Sequence, residues 1–291
     1  MRAILPAFHL SEIATIGAPP DIVLLAVKSN ATADTVKQLL PYLTDQSVVV
    51  SLQNCINEEV IASIVGARRT IGAMVIGFGG ELIRPGRAQS SQSNRRVVVG
   101  ELDGSLTPRL QSLANALEST VHPEMTDNIW GILWTKMVLN SEMNAVAAIT
   151  GLRTDEIAAD PLARRVSLSL AREVVSVALA LGVKLNAAEL DGPPEDYLQQ
   201  SDSESMREIE RRYIERWSRI SVKPSMLQDM EKRRPTEVAF MNGYVVEKAR
   251  TMQLQAPVNE AIVRVVMAAE DEHRGPDPAA FSQAFAELRK A

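Results

Sequence analysis

"DIVLLAVKSNATADTVKQLLPYLTDQSVVVSLQN", residues 21–54, decides the fold. "DIVLLAV" (21–27) is a continuous apolar run between Pro-Pro-Asp and Lys-Ser-Asn, the pattern of a parallel strand buried on both faces. "ATADTVKQLLPYL" (31–43) reads as a helix, with Asn30 as its N-cap and Pro41 near its end. "SVVVSL" (47–52) is a second buried strand. Strand, helix and strand at this spacing predict neighbouring parallel strands with a crossover helix.

The alternation continues outward. Residues 57–65 read as a short helix and "TIGAMVI" (70–76) as a third strand. "GRAQSSQ" (86–92) and "RRVVVGE" (95–101) read as a pair of more exposed strands. "TPRLQSLANALEST" (107–120) is a helix with Thr107 as N-cap and Pro108 at its first position. After about residue 123 the strands stop. Helices are predicted over 127–150, 161–181, 204–220, 225–233, 236–253, 257–270 and 278–290. Asp160-Pro161 starts one of them and Gly182 ends it. The fold class is therefore an α/β N-terminal domain (1–122) followed by an all-α C-terminal domain (123–291).

Composition excludes several classes. The net charge is −5, from 31 basic and 36 acidic residues, and this argues against nucleic acid or an anionic membrane as partner. The single cysteine, Cys55, leaves no intramolecular disulfide and fits a reducing cytoplasm. His9, His122 and His273 are scattered, and no metal site is expected. No apolar run is long enough to span a membrane, and "MRAILPAFHL" (1–10) lacks the core and cleavage site of a signal peptide. The helix "ESMREIERRYIERWSRI" (204–220) carries interspersed Glu and Arg behind one apolar stripe, so it reads as an amphipathic surface helix.

The unusual helix is the first of the α domain. In "LWTKMVLNSEMNAVAAI" (133–149), Lys136, Asn140 and Asn144 follow one another at four-residue intervals, which places them on one line. Ile132, Leu139, Met143 and Val146 flank the line on one side; Trp130, Trp134, Met137 and Ala148 flank it on the other. A solvated face would be broad and charged, whereas this one is narrow and greasy at both edges. Burial lowers an ammonium's pKa and makes it a better proton donor near neutral pH. Reduction of a carbonyl needs such a donor, because the oxygen gains charge as hydride reaches carbon. A lysine whose stem packs while its head reaches water explains the helix equally well when taken alone.

"KPSMLQDMEKRRPTEVAFMNGYVVEKA" (223–249) shifts the balance. Here Thr236 is expected to cap a helix with Glu237 in its first turn, and Ser225 reads as a second cap. The order "DIVLLAVKS", "SLQN", "DNIWGILWTKMVLNSEMN", "PSMLQDMEKRRPTEVAFMNGYVVEKA" and "APVNEAI" resembles the ketopantoate reductase (2-dehydropantoate 2-reductase) family, from about Asp21 to about Met267. The resemblance implies an NADPH-dependent oxidoreductase with a Rossmann domain, a helical domain and an active site between them. It implies Lys136 as the general acid on the C2 oxygen, assisted by Glu237. It implies Asn140, Asn144, Ser225 and Asn54 as substrate ligands, and Lys28, Asn54 and Glu237 beside the cofactor. The substrate would be a small 2-keto acid, ketopantoate, in pantothenate biosynthesis, and a homodimer is open.

The sequence departs from the family pattern in four places. Gln53-Asn54-Cys55 stands where Gln-Asn-Gly is usual, and a glycine there would permit positive φ or close approach of the cofactor. Thr154 stands at the offset where another substrate-binding Asn is common. Residues 183–222 are longer and more charged than the family leads one to expect. The Rossmann glycine turn, G-x-G-x-x-G after the first strand, is missing; "GFGGE" (77–81) follows a later strand at the wrong spacing. The dinucleotide-binding domain therefore reads as N-terminally incomplete, either because Met1 is an internal methionine or because the chain is a truncated relative. The alternatives to ketopantoate reduction are reduction of another 2-oxo acid, which Thr154 and Cys55 suggest, and a non-catalytic helical module. For the polypeptide as written, NADPH binding is expected to be weak or absent. Titration of NADPH into this chain and into one extended upstream tests this, and equally tight binding by both would refute it.

Overall fold

The computed structural model describes residues 7–77, 80–84, 87–90 and 95–289. They divide into two compact units, Met1–Ile129 and Trp130–Ala291. The first unit carries β1 (Ile22–Leu25), α1 (Thr32–Leu39), β2 (Val48–Ser51), α2 (Glu58–Val65), β3 (Thr70–Ile76), β4 (Gly80–Arg84), β5 (Arg87–Ser90), β6 (Arg96–Glu101), α3 (Pro108–Leu117) and β7 (His122–Met125). The main sheet runs β1-β2-β3-β6-β7. Val49 sits opposite Val23 on one side and Thr70 on the other, so β1, β2 and β3 are parallel. β6 runs antiparallel to β3, with Gly72 opposite Gly100, and β7 runs parallel to β6.

Successive residues of β2 feed opposite faces, as the two-residue period of a strand requires. Val48 and Val50 join Ile71, Ala73, Val97 and Val99 against Leu110 and Leu113 of α3. Val49 joins Leu25 against Val36 and Leu39 of α1 and Ile61 and Val65 of α2. This two-faced burial is why the strands read as unbroken apolar runs. β1 is the outer strand of the described sheet, and Ile22 and Leu24 on it are exposed, so "DIVLLAV" forms the predicted parallel strand but is not buried on both faces.

Gly72 and Gly100 form a slot for one side chain. A Cβ on Gly72 would lie 2.6 Å from Ile129 Cγ1, and one on Gly100 would lie 2.8 Å from Ile129 Cβ. Glu58, the first residue of α2, also lies beside Gly72 and is fully buried. Neither of its carboxyl oxygens has a hydrogen-bond partner. Desolvation pushes its pKa up to about 7, against smaller lowering influences from its own turn, Ser51 and Ala73.

The second unit is helical: α4 (Ile129–Thr150), α5 (Thr154–Ala159), α6 (Pro161–Ala180), α7 (Glu204–Trp217), α8 (Ser225–Glu231), α9 (Asn242–Thr251), α10 (Pro257–Asp271) and α11 (Pro278–Ala284). Residues 141–150 of α4 are all buried. Ser167 of α6 donates to the Glu142 carbonyl at 2.7 Å, and Asn242 at the head of α9 donates to the Ser141 carbonyl at 3.4 Å. Asn242 also donates to Asn259 Oδ1 at 2.9 Å, and Asn259 donates to Glu173 Oε2 at 2.8 Å. Glu173 takes the Val258 and Asn259 amides as well, so one α6 carboxylate caps α10 and closes the network.

Several sequence expectations need correction. "RRVVVGE" is not an exposed partner of "GRAQSSQ": β6 lies buried between β3 and β7, while β5 pairs with β4. The flanking arginines suggested exposure, but Val97, Val98 and Val99 carry the signature of a buried strand. Gly86, Ser91 and Gln92, like Phe78 and Gly79 of "GFGGE", lie outside the described residues. Strands do stop at about residue 123, but the last of them, β7, is not expected from the sequence. Asn30 does not cap α1, which grows out of a 3-10 turn at Ser29–Ala31. Thr107 and Asp160 do cap their helices, accepting from Leu110 and Ala163 at 3.2 and 2.8 Å.

The Glu58 carboxyl gives the first unit a pH signature. Its pKa is raised from 4.5 to about 7, so its contribution is complete below 4.5 and is lost as pH rises through 7. That window is worth on the order of 3 kcal/mol. Thermal melts from pH 5 to pH 8 should therefore show wild-type stability falling, with the Glu58→Gln variant losing much less. Parallel pH profiles for the two proteins would contradict the assignment.

Candidate functional site

The predicted residues fall into two groups, one in each unit. In the first unit, Lys28 and Asn54 lie on the loops that leave the carboxyl ends of β1 and β2. Ligands of open α/β sheets bind at that end. Lys28 is exposed and Asn54 half-buried. Ser29, next to Lys28, lies 3.5 Å from the Asn54 carbonyl, so the two loops touch.

These loops are joined beneath the surface by side chains. Gln53 Nε2 donates to the Val27 carbonyl and to Thr32 Oγ1, both at 2.7 Å. Thr32 Oγ1 donates to Asn57 Oδ1 at 3.0 Å. Asn57 Nδ2 donates to the Asn54 carbonyl at 2.8 Å and to Ser29 Oγ at 3.2 Å. Thr32, Asn57 and Gln53 are 1%, 3% and 6% exposed, so these are low-dielectric bonds. Cys55, inside the same loop, has φ 65°. The backbone thus keeps the left-handed turn that a glycine would favour, and the side chain is buried instead. A residue with a Cβ pays roughly 1–2 kcal/mol for that conformation.

In the second unit the line on α4 stands as the spacing predicts. Lys136 and Asn140 are half-buried and Asn144 is 8% exposed. Asn144 Nδ2 donates to the Asn140 carbonyl at 3.1 Å, one turn back along the helix. Ser225 Oγ lies 3.5 Å from Asn144 Oδ1, so α8 brings its hydroxyl to the far end of the line. Ser225 is not the cap of α8: Pro224 holds that position and Ser225 is the first helical residue. Its hydroxyl is therefore turned to Asn144 rather than to its own helix.

Glu237 lies elsewhere than the sequence predicts. Residues 237–241 form a separate turn, in which the Glu237 carbonyl accepts from Phe240 and Met241 at 3.0 and 2.9 Å. α9 begins only at Asn242, after Met241 takes ψ −85°. Thr236 Oγ1 accepts from Val238 at 3.2 Å, which caps this turn and not the helix. The helix-dipole argument for Glu237 consequently fails. Its carboxylate is nonetheless 6% exposed, and a carboxylate held from water needs a charged or hydrogen-bonding partner. Asn242 and the Trp134–Tyr244 ring pair, 5.8 Å between centroids, hold the head of α9 against α4.

Thr154 is a structural hinge pin. It is 3% exposed, donates to the Ile220 carbonyl and accepts from the Val222 amide at 3.0 Å. Its own amide donates to the Val222 carbonyl at 3.2 Å, and Arg153 Nε holds Ser221 Oγ at 2.9 Å. The segment leading into Ser225 is thereby fixed. Sequence reasoning saw Thr154 only as a missing Asn. It missed Thr32 and Asn57 as well; the signal was the polar residues clustered immediately after two buried strands.

Behind the line, Glu142 is fully enclosed near Asp191, Arg216 and Trp217. Desolvation and then the Asp191 charge hold its carboxyl well above the usual range, with Arg216 opposing. Among the described residues no group of His, Cys, Asp and Glu is placed to hold a metal, and no helix is long and apolar enough to cross a membrane.

The chain thus pairs an α/β unit with a helical unit whose first long helix carries the Lys136, Asn140 and Asn144 line. The models of the ketopantoate reductase PanE/ApbA and of its C-terminal region match residues 3–104 and 128–270. The chain belongs to the ketopantoate reductase family. It is 27% identical to the 2-dehydropantoate 2-reductase of Archaeoglobus fulgidus over 256 residues, covering 86% of this chain and 76% of that protein. It is 27% identical to the 2-dehydropantoate 2-reductase of Pyrococcus horikoshii over 256 residues, covering 87% and 77%. A PanE/ApbA family ketopantoate reductase from Ralstonia eutropha superposes with a TM-score of 0.71 at 25% identity, covering 88% of this chain and 78% of that one. D-mandelate dehydrogenase, solved with NADH and anilino(oxo)acetate, shares the fold with a TM-score of 0.78 at 21% identity, covering 94% and 82%.

Proposed function

We propose that the chain reduces 2-dehydropantoate to pantoate with NADPH, with Lys136 as the general acid. The observation that supports this most is the one-sided polar line of Lys136, Asn140 and Asn144, completed by the Ser225 hydroxyl at 3.5 Å from Asn144. A 2-keto acid offers acceptor oxygens at its keto group and carboxylate. The ammonium and the amide protons on this line offer matching donors. NADPH, when bound, supplies the hydride that adds to C2. As the C2 oxygen gains negative charge, Lys136 gives it a proton from the ammonium and leaves as the neutral amine. Glu237, buried in the turn before α9, assists Lys136 in this reading. Asn140, Asn144 and Ser225 fix the substrate's oxygens, which is positioning rather than proton transfer.

The cofactor's fit rests on the first unit. Lys28 offers an exposed ammonium suited to a phosphate, and Asn54 offers an amide at the carboxyl end of β2. A glycine-rich pyrophosphate turn is not found among the described residues. Pantothenate biosynthesis, a cytoplasmic setting and a homodimer belong to the same reading. A dimeric ketopantoate reductase is known from Staphylococcus aureus, at 17% identity to this chain. The second reading is reduction of a different 2-oxo acid. Thr154 favours it, because its hydroxyl is committed to the backbone at Ile220 and Val222 and cannot serve a substrate as an Asn would.

Lys136→Ala is expected to reduce kcat by about a hundredfold or more, as loss of a general acid does, while leaving the circular dichroism and melting profile of the fold intact. Near-normal turnover by the variant would exclude the role. A panel of 2-oxo acids separates the two substrate readings, with 2-dehydropantoate giving the highest kcat/KM under the first.

A further inference from the structure

The hydrogen bonds beneath the Lys28 and Asn54 loops form a chain with a fixed direction. Both protons of the Gln53 amide are spent, on Val27 and Thr32. Having accepted from Gln53, the Thr32 hydroxyl must give its own proton to Asn57 Oδ1. Both protons of the Asn57 amide are then spent, on Asn54 and Ser29. Ser51 Oγ, at the end of β2, completes the chain 3.5 Å from Gln53 Oε1.

Each link crosses between the two loops or locks one end of the second loop. Val27, Ser29 and Thr32 belong to the segment after β1; Gln53, Asn54 and Asn57 belong to the segment after β2. Thr32 is the only member that touches both carboxamides. Thr32 and Asn57 lie too deep to meet a ligand themselves, at 1% and 3% exposure. A polar network this complete in a low-dielectric interior specifies one geometry, because any slip leaves a buried donor unpaired. The strained turn at Cys55 is held inside the same loop.

We propose that Thr32 is a positioning residue: its hydroxyl, by joining Gln53 to Asn57, sets the Asn54 loop against the Lys28 loop and so fixes the spacing of the two cofactor-facing side chains. This rests on the reading of Lys28 and Asn54 given above, although the mechanical coupling of the loops can be tested without any cofactor.

Thr32→Val keeps the shape and removes the hydroxyl, while Thr32→Ser keeps the hydroxyl and removes a methyl. Both are compared with wild type by hydrogen-exchange mass spectrometry of peptides covering residues 27–32 and 52–57, and by kcat and KM for NADPH. Thr32→Val should speed exchange about tenfold in both segments together, the effect of losing roughly one buried hydrogen bond. Thr32→Ser should stay near wild type in both, although it costs stability by its lost methyl. KM for NADPH should rise about tenfold in the valine variant and be restored in the serine variant. If the two variants exchange alike, or if valine loosens 27–32 while 52–57 stays protected, the proposal is overturned. A wild-type chain that shows no response to NADPH would count against the cofactor reading alone, and the exchange result would still decide the coupling.

Discussion

The structure of the second unit depends on one constraint: α4 is enclosed, yet it carries polar side chains that must find partners. From residue 141 to 150 no position on it meets solvent freely. Burying an amide or an ammonium without compensation costs several kcal/mol. The helices around α4 meet this demand only in part: two of their three bonds go to its backbone carbonyls, and Ser141 Oγ and Glu142 Oε1 stay buried without a hydrogen-bond partner. α9 supplies Asn242 to the Ser141 carbonyl, α6 supplies Ser167 to the Glu142 carbonyl, and α8 supplies Ser225 to Asn144. The line from Lys136 to Asn144 is what remains after that accounting, a short row of hydrogen-bonding groups with apolar flanks.

The first unit solves a related problem by different means. Its inner strands β2, β3 and β6 are buried, so polar chemistry falls at strand ends. The loops after β1 and β2 carry the exposed Lys28 and half-buried Asn54, and they are tied by carboxamides and hydroxyls beneath them. Direction is built into those bonds, since each carboxamide has two protons to give and each hydroxyl one. Where the backbone needed a left-handed turn, Cys55 took it and buried its side chain, giving up the ease a glycine would have had.

Much of this was legible in the sequence, for physical reasons that can be named. The runs 21–27, 47–52 and 70–76 are largely apolar and each forms a strand; β2 and β3 are buried as such runs predict, whereas β1 leaves Ile22 and Leu24 exposed. The Lys136 line was visible because a helix repeats every 3.6 residues and the polar positions fall four apart. β6 was misread as an exposed strand paired with β5, although Val97, Val98 and Val99 form a buried apolar run. β7, "HPEM", was missed because it alternates no apolar face and none of its residues is buried, so it shows no strand periodicity. Glu237 was assigned to a helix that starts five residues later, because the break at Met241 comes from backbone torsions that no residue type there announces. The Thr32–Asn57 pair and the Thr154 pin were beyond reach, since they join residues 25 to 68 positions apart.

The central claim is that the Asn144 amide serves a bound 2-keto acid and is not merely packing. Steady-state kinetics and thermal melting of Asn144→Ala, measured side by side, test it most directly. The account predicts a KM for 2-dehydropantoate raised about tenfold or more, as expected when one or two hydrogen bonds to a substrate carboxylate or carbonyl are lost, with a melting temperature close to wild type. A lowered melting temperature with an unchanged KM would contradict it.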